Sequence, residues 1–301
     1  MATFNDMVDE VRQSLAGYAN QQDKINYISN NGTAITASAT SLTLGDTTTL
    51  AKGVLEIDDE LLYATAFNKN DGSVTIAPGF GRGYQDTTAT THADSSKVLV
   101  NPTFPRNAIK RAINDTILAV YPKLFGVNTY TFTYNSAVTT YALPDDMEKL
   151  LSMRWQSVGP TKEWIPIRRW YHDSMANTDS FDSNNSVTIN QPVVNGRTVQ
   201  VSYSTQPSNL SNPTDDFALT SGLPASSKDV IILGAAYRLA SFVDVSRINS
   251  TTAEADMNDT KSPSGAGANI SKYLYNLYQA RLADESVKQL NKYPVRIHYT
   301  D

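Results

Sequence analysis

The stretch GVLEIDDELLYATAF, residues 53–67, decides the fold predicted for the first third of the chain. Residues that favour β-strands fill both of its arms, and the acidic run at 58–60 between them predicts a polar hairpin turn. A second two-residue hairpin is indicated by Asp71-Gly72 in NDGSVTI. With KVLV at 97–100 as a closing strand, residues 25–100 are predicted to form a compact all-β unit.

Helical patterns flank this unit on both sides. Thr3 and Asp6 make a capping-box pattern, and apolar residues then recur at helical spacing as far as Gly17. A second helix is predicted to begin near Pro105, which suits a first helical turn, and to end at Pro122. Its apolar side consists of Ile109, Ile113, Ile117 and Val120.

The remainder of the chain alternates between strand and helix signals. Asn135-Ser136 and Asn195-Gly196 predict two further hairpins. Ser226 with Asp229 repeats the capping-box pattern and begins an apolar, buried helix that reaches about Arg247. Residues 249–269 are predicted to be a mobile loop, and a last helix follows from Ile270 until Pro294.

This order of elements predicts an α+β fold. Residues 1–24 and 101–301 are expected to form a core of helices with an antiparallel β-section. Residues 25–100 are expected to form a small all-β domain inserted into that core.

Composition excludes several classes of function. The chain has 301 residues, a formal net charge of -5 and no cysteine, which excludes disulfides, zinc–thiolate sites and cysteine nucleophiles. The negative charge disfavours a surface that grips nucleic acid. No signal peptide is expected at the N-terminus, and the longest apolar stretch, Val230 to Val245, is too short to span a bilayer.

Several short motifs resemble functional sites. Gly79, Gly81 and Gly83 follow the strand SVTIAP, but no helical pattern follows them, so a turn is favoured over a phosphate loop. His92 and Asp94, with Asp86 as a further candidate ligand, could ligate a metal, but no second histidine is near in sequence, which favours a structural histidine.

No motif has the spacing of a catalytic site. The HDS run at 172–174 holds the residue types of a serine hydrolase, yet neighbours in sequence do not form a triad, and no G-x-S-x-G elbow is present. We therefore expect no catalytic residue, no metal and no cofactor. A hydrolase using His172 or His92 is the least favoured function.

Two segments are candidates for protein contacts. Arg168 and Arg169 lie between Trp164 and Trp170, and the acidic balance of the chain favours a contact between subunits over stacking on bases. The C-terminal segment alternates apolar and polar residues, as an exposed strand does, and its apolar positions are Val295, Ile297 and Tyr299. Such a strand needs a partner, either its own sheet or the edge of another chain.

Three stretches in order resemble head-to-tail adaptor (connector) proteins of tailed bacteriophages: LEIDDELLYATAF, GFGRGYQDTTATTHADSSKVLV and FPRNAIKRAINDTILAVYPKLF. The first motif is held by Arg82, Gly83, Thr87, Ala89 and His92, and the second by Ile109, Ile113, Asn114, Tyr121 and Pro122. The helix SSKDVIILGAAYRLASF and the last, tyrosine-rich helix are also similar to the closing helices of those adaptors. Asp86 and Ser95-Ser96 stand where a glycine is usual.

The resemblance implies a structural protein of the virion neck, made in the host bacterial cytoplasm. About twelve copies would form a ring below the portal that extends the DNA channel and joins the head to the tail. Its partners would be the portal protein, a downstream neck or tail protein and other copies of itself, without a membrane. Genomic DNA would pass through without specific binding.

The resemblance also assigns roles to residues. Arg82, Gly83, Thr87 and His92 would support the β-domain, and the C-terminal segment with Tyr293, Val295, Ile297 and Tyr299 would dock on the portal. The main alternative is another virion component, such as a tail-completion, tube or fibre-associated protein.

Overall fold

Helices and antiparallel sheets both occur in the chain, which confirms the α+β class. The computed structural model describes residues 2–16, 23–158, 162–251 and 266–293. Within these ranges, the backbone alone is described for residues 242–251 and 266–269. The chain divides into two compact units, each built from segments that are distant in sequence. The first comprises Met1–Asp6, Asn114–Leu233 and Tyr275–Asp301, and the second comprises Met7–Ile113 and Gly234–Leu274.

The second unit contains a six-stranded antiparallel sheet. Its strands are β1 (Lys24–Tyr27), β2 (Ser41–Thr43), β3 (Gly53–Ile57), β4 (Glu60–Phe67), β5 (Ser73–Ile76) and β6 (Lys97–Val100), in the order β1-β6-β3-β4-β5-β2. The proposed limits of an inserted domain at 25–100 stay a prediction, but all six strands lie within 24–100.

Contacts between the two edge strands close this sheet into a barrel. Directly after β1 and β2, Ile28 pairs with Leu44. Ser29 N donates to Thr43 O at 2.9 Å, and Gly45 N donates to Tyr27 O at 3.0 Å. A closed barrel leaves no strand edge exposed, and its interior is filled by one apolar cluster. The cluster includes Ile28, Ile35, Leu42, Leu44, Leu55, Ile57, Leu62, Val74, Ile76, Val98 and Val100.

The hairpin turns of the barrel follow the sequence signals in part. Asp58 and Asp59 form the tight turn between β3 and β4, as predicted, and Asp58 has a φ of 53°. Asp71-Gly72 also joins paired strands, but the connection spans residues 68–72 instead of two residues. Gly72 is required there, because its φ is +74° and a Cβ would lie 2.4 Å from Leu44 O.

Two helices contact the barrel within the second unit. In α1 (Phe4–Ala16) the predicted capping box is confirmed, since Thr3 N donates to Asp6 Oδ2 at 3.0 Å and Asp6 N donates to Thr3 Oγ1 at 3.2 Å. Helix α2 (Arg106–Ala119) begins one residue after Pro105. Glu56, on β3 and only 3% exposed, accepts Arg12 Nη2 at 2.6 Å and Arg106 N at 2.7 Å, so one buried carboxylate joins both helices to the barrel.

The first unit contains two smaller sheets. Their strands are β7 (Gly126–Thr133), β8 (Thr140–Ala142), β9 (Lys149–Gln156), β10 (Trp164–Ile167), β11 (Trp170–Asp173), β12 (Ser186–Ile189) and β13 (Thr198–Thr205). One sheet has the order β10-β9-β13-β7 and the other β11-β12-β8. Residues from both sheets form a shared core, as in a β-sandwich. Its buried members include Leu143, Met147, Leu150, Met153, Ile167, Val187, Ile189, Val199, Val201 and Tyr203.

The two hairpins predicted in this region are wrong. Strand β12 pairs with β11 and β8, whereas β13 pairs with β9 and β7, so Asn195-Gly196 carries the chain from one sheet to the other. Asn135-Ser136 does the same between β7 and β8. The two turns bind each other instead, because Ser136 N donates to Asn195 Oδ1 at 2.9 Å and Gly196 N donates to Tyr134 O at 2.8 Å.

Three helices complete the fold: α3 (Phe217–Ser221), α4 (Lys228–Thr251) and α5 (Ala266–Lys292). The capping box predicted at Ser226 and Asp229 is wrong: the Ser226 hydroxyl donates to Glu285 Oε2 at 2.7 Å, and the Asp229 carboxylate accepts from Val230 N at 2.9 Å instead of from Ser226 N. Helix α4 continues to Thr251 instead of ending near Arg247, and residues 252–265 of the predicted loop lie outside the described residues. Within the described part of the chain, no helix combines the length and apolar character that crossing a membrane requires.

Candidate functional site

The motif residues of the β-unit converge on one buried carboxylate, that of Glu60. Glu60 is the first residue of β4 and is 1% exposed. Arg82 binds it with two nitrogens, Nε to Oε1 at 2.7 Å and Nη2 to Oε2 at 2.9 Å. Gly83 N donates to Oε1 at 3.0 Å, Thr90 N donates to Oε2 at 2.9 Å, and His92 Nε2 lies 2.8 Å from Oε2. Each carboxylate oxygen is therefore held by several donors.

Arg82 connects this carboxylate to the surrounding chain. Besides Glu60, its guanidinium donates to the carbonyl oxygens of Thr36, Ala39 and Thr90. The ion pair is almost completely buried, with side-chain exposures of 11% for Arg82 and 0% for Glu60. A planar guanidinium with several fixed donors suits this arrangement, and a lysine could not replace it.

The loop around Glu60 depends on Gly83 and Thr87. Gly83 has a φ of +61°, and a Cβ on it would lie 2.6 Å from Thr87 O, so glycine is needed. Thr87 Oγ1 accepts from Leu61 N at 3.0 Å and donates to Tyr84 O at 2.9 Å. Arg82, Gly83, Thr87 and His92, which the sequence identified as structural, thus fix one loop against β4.

Charge pairing decides the ionisation of this cluster. Burial alone would raise the pKa of Glu60, but hydrogen bonds from Arg82, His92 and the backbone of Thr90 and Gly83 hold that pKa well below its usual range. Burial alone would lower the pKa of His92, but its bonds to Glu60 and Asp58 outweigh burial and raise that pKa. His92 Nδ1 lies 3.0 Å from Asp58 Oδ2, so the imidazole ring bridges the carboxylates of Asp58 and Glu60.

The cluster is arranged to hold a loop and not to transfer a proton. The oxygens of Glu60 and both ring nitrogens of His92 already have partners, so neither can serve a substrate without breaking the cluster. Across the described residues, no three side chains of histidine, aspartate or glutamate are arranged to hold a metal ion. Glu60 itself was not singled out from the sequence, where it was assigned to the polar turn of residues 58–60.

Comparison with protein families places this motif in context. The chain matches the family model described as SU10 adaptor protein over residues 2–289. It belongs to the SU10 adaptor protein family. The comparison with curated proteins found no match. As a member of this phage adaptor family, the chain is a structural component of a virion.

Asn114, in the second motif of this SU10 adaptor, joins α2 to a distant loop. Asn114 Nδ2 donates to Leu210 O at 2.9 Å, and Leu210 N donates to Asn114 Oδ1 at 3.0 Å. The side-chain amide therefore makes the pair of bonds that a backbone neighbour would make. Leu210 is 2% exposed, so both of its polar groups depend on Asn114 for satisfaction.

The four residues proposed to lie between subunits are two tryptophans on different sheets and two arginines in the connection between them. Trp164 lies on β10 and Trp170 on β11, both half-buried, and Arg168 and Arg169 are exposed between them. The Trp164 ring lies under the guanidinium of Arg154 at 5.1 Å, and Trp170 packs against the sandwich core. A role of these residues between subunits stays a prediction.

The HDS run shows no catalytic arrangement. The Asp173 carboxylate accepts from Met175 N at 2.9 Å, and the Nε2 atom of His172 is buried without a hydrogen-bond partner. Burial lowers the pKa of His172, which a hydrogen bond to Asn185 and the charge of Asp173 only partly offset. Of the proposed portal-docking residues, Tyr293 follows α5, while Val295, Ile297 and Tyr299 lie outside the described residues.

His92 gives the barrel a pH dependence with a defined sign. Because its pKa is raised on folding, its contribution to stability is complete below the unfolded value of about 6.5 and is lost as the pH rises through the folded value. We expect the free energy of unfolding of the second unit to fall above that pH. His92→Ala should remove this dependence and cost about 2 kcal/mol, more than a histidine that only supports a turn.

The measurement is amide hydrogen exchange of β3 and β4 across this pH range, corrected for intrinsic exchange. His172→Ala is the control, because its lowered pKa makes it titrate below the range. Parallel pH profiles for the wild type and His92→Ala would contradict the prediction.

Proposed function

We propose that this chain is a structural head-to-tail adaptor of a tailed phage neck. The observation that carries the proposal is the SU10 adaptor match over residues 2–289, which covers nearly the whole chain. In this role about twelve copies form a ring below the portal, and the ring extends the DNA channel and joins the head to the tail. The partners are the portal protein, a downstream neck or tail protein and neighbouring copies.

An exposed apolar face on α5 supports assembly into a ring. Leu274, Tyr278, Leu282, Glu285 and Gln289 form the buried side of this helix. Tyr273, Leu277 and Val287 lie on the opposite side and are 60%, 37% and 57% exposed. Exposed apolar residues that share one helix face are typical of a protein contact. In the proposed ring this face packs against a neighbouring subunit.

The engaged state of the Glu60 cluster supports a structural role over a catalytic one. The Glu60 carboxylate is fully engaged in hydrogen bonds that hold the loop of residues 82–92 against β4. DNA passes through the proposed channel without specific binding, in keeping with the net charge of -5.

Copy number tests the proposal. The full-length chain, alone and mixed with the portal protein of the same phage, should be examined by native mass spectrometry and cryo-electron microscopy. We expect a ring of about twelve copies on the portal. A trimer or hexamer that does not bind the portal would support a tail-completion, tube or fibre-associated protein. A monomer with hydrolytic turnover would support an enzyme.

The C-terminal segment is proposed to dock on the portal through Tyr293, Val295, Ile297 and Tyr299. Truncation after Lys292 should leave a folded chain that no longer attaches to portal-bearing heads, since it lacks these apolar anchors. Co-sedimentation with DNA-filled heads measures attachment, and circular dichroism verifies the fold. Attachment equal to that of the full chain would assign the segment to the subunit's own fold alone.

A further inference from the structure

Three exposed arginines lie around strand β10, at one edge of the four-stranded sheet. Arg154 is on the neighbouring strand β9, and its Nε donates to Gln200 Oε1 at 2.8 Å. Its guanidinium lies 5.1 Å from the centre of the Trp164 ring. Arg168 and Arg169 follow β10 directly. We call these three arginines the basic patch.

Three exposed carboxylates lie towards the other edge of the sheet. Asp145, Asp146 and Glu148 belong to the segment that precedes β9. Asp146 accepts from Asn128 Nδ2, on the edge strand β7, at 3.3 Å, and from Tyr203 Oη, on β13, at 3.0 Å. We call these three carboxylates the acidic patch.

The charges of both patches are positioned by neutral partners. Glu148 accepts from Tyr121 Oη at 3.1 Å and from Gln206 Nε2 at 2.6 Å, and the hydrogen-bond partners given above for the other members are neutral as well. Ion pairs between described residues of the first unit are confined to α5 and its contact with α4. The charged groups of both patches therefore have no oppositely charged partner in the described part of the chain.

The two patches lie at opposite corners of the sheet. Asp146 contacts β7 and Arg168 directly follows β10, and these are the two edge strands. Three strand spacings separate the edges, about 14 Å, which is too far for an ion pair across the sheet. Lys162 and Glu163 before β10 offset each other, and Lys149 offsets only part of the acidic patch beside it. The subunit therefore carries one positive and one negative corner.

Two complementary patches at different corners of one chain suit a head-to-tail contact. In a closed ring each subunit turns one surface to one neighbour and a different surface to the other neighbour. Surfaces of opposite charge attract each other in this order, whereas two copies that meet through the same patch repel each other. A second copy of this chain thus supplies the charges that each patch lacks.

We propose that the basic patch of one copy binds the acidic patch of the next copy in the ring. This inference rests on the proposed ring of identical subunits and specifies one of its contacts. Guanidinium groups suit this role, because each can donate two parallel hydrogen bonds to one carboxylate. The groups are exposed in the single subunit, so the contact weakens as the salt concentration rises.

Charge reversal tests the contact through two variants and their mixture. Arg168→Glu with Arg169→Glu makes the basic patch negative, and Asp145→Arg with Glu148→Arg makes the acidic patch positive. Each variant alone would bring like charges together, so we expect the dissociation constant for self-association to rise at least about 100-fold. An equal mixture of the two should assemble again, because each reversed patch then meets an opposite charge on the other variant.

Sedimentation velocity and native mass spectrometry of the full-length chain at low salt, alone and with the portal protein of the same phage, measure association. Circular dichroism verifies the fold. Lys69→Glu with Lys97→Glu is the control, because it makes the same change of charge at exposed positions of the barrel and should assemble as the wild type does.

The outcomes separate this contact from the adaptor role. Single variants that assemble as the wild type does, or a mixture that stays dissociated, would overturn the contact, while a wild-type ring on the portal would still support the adaptor. A mixture that forms dimers alone would also overturn it. Wild-type assembly that depends on both patches but does not bind the portal would support the contact and contradict the adaptor role. A wild type that stays monomeric throughout would contradict both.

Discussion

Glu60→Gln is expected to destabilise the barrel by about 3–5 kcal/mol, because breaking a buried ion pair leaves an uncompensated charge. Arg82 would keep its buried guanidinium but lose its carboxylate at 2.7 Å. Glutamine also replaces one acceptor oxygen of Glu60 with an NH2 group, which has two N–H donors and no acceptor, so it would oppose the donors from Gly83 or from Thr90 and His92. The loop of residues 82–92 should open as a consequence.

The measurement must report on the second unit. All three tryptophans, Trp155, Trp164 and Trp170, lie in the first unit, so their fluorescence does not follow the barrel. Amide hydrogen exchange of β3 and β4 reports directly on the unfolding of the barrel. Asp86→Asn is the matched control, because this carboxylate lies in the same loop with its side chain 94% exposed. An effect of Glu60→Gln no larger than that of Asp86→Asn would show that the cluster is not needed for stability.

Asn114→Ala is expected to destabilise the first unit by about 3 kcal/mol, since it leaves a buried donor and a buried acceptor without partners. Those groups are the N–H and C=O of Leu210, which is 2% exposed. Alanine is the better helix former, so intrinsic propensity in α2 would act in the opposite direction. A net loss would therefore come from the loop and not from the helix.

Urea unfolding followed by tryptophan fluorescence reports on this unit. Asn276→Ala is the control, because Asn276 is exposed on α5 and the same substitution there should be neutral or slightly stabilising. If Asn114→Ala shifts the transition no more than Asn276→Ala, water satisfies Leu210 and the bonds from Asn114 contribute little.

Local signals in the sequence predicted one helix start, the apolar side of one helix and one tight turn correctly. The Thr3–Asp6 capping box and the apolar side of α2 are present as predicted, with Ile109, Ile113 and Ile117 fully buried. The turn at Asp58-Asp59 is also present. These features depend on residues close together in the chain, so spacing alone is sufficient evidence.

Features that depend on contacts between distant residues could not be predicted from the sequence. Asn195-Gly196 was recognised as a turn, but strand pairing across two sheets is set by long-range packing, so the hairpin was wrong. Glu60 was assigned to a turn because a carboxylate in an acidic run gives no sign of burial. The donors Arg82 and His92 lie 22 and 32 residues further along the chain. The sequence therefore identified the motif residues Arg82 and His92 but not Glu60, the carboxylate that both of them bind.

The closure of the barrel has a mechanical consequence. Lys24, the first residue of β1, is the direct partner of Val100, the last residue of β6. Because the two strands are antiparallel, the chain enters and leaves the barrel at the same point. Tension applied through the flanking segments would peel this pair apart one rung at a time instead of loading all rungs together. A barrel with a strongly bonded interior would thus yield at low force when pulled by its ends.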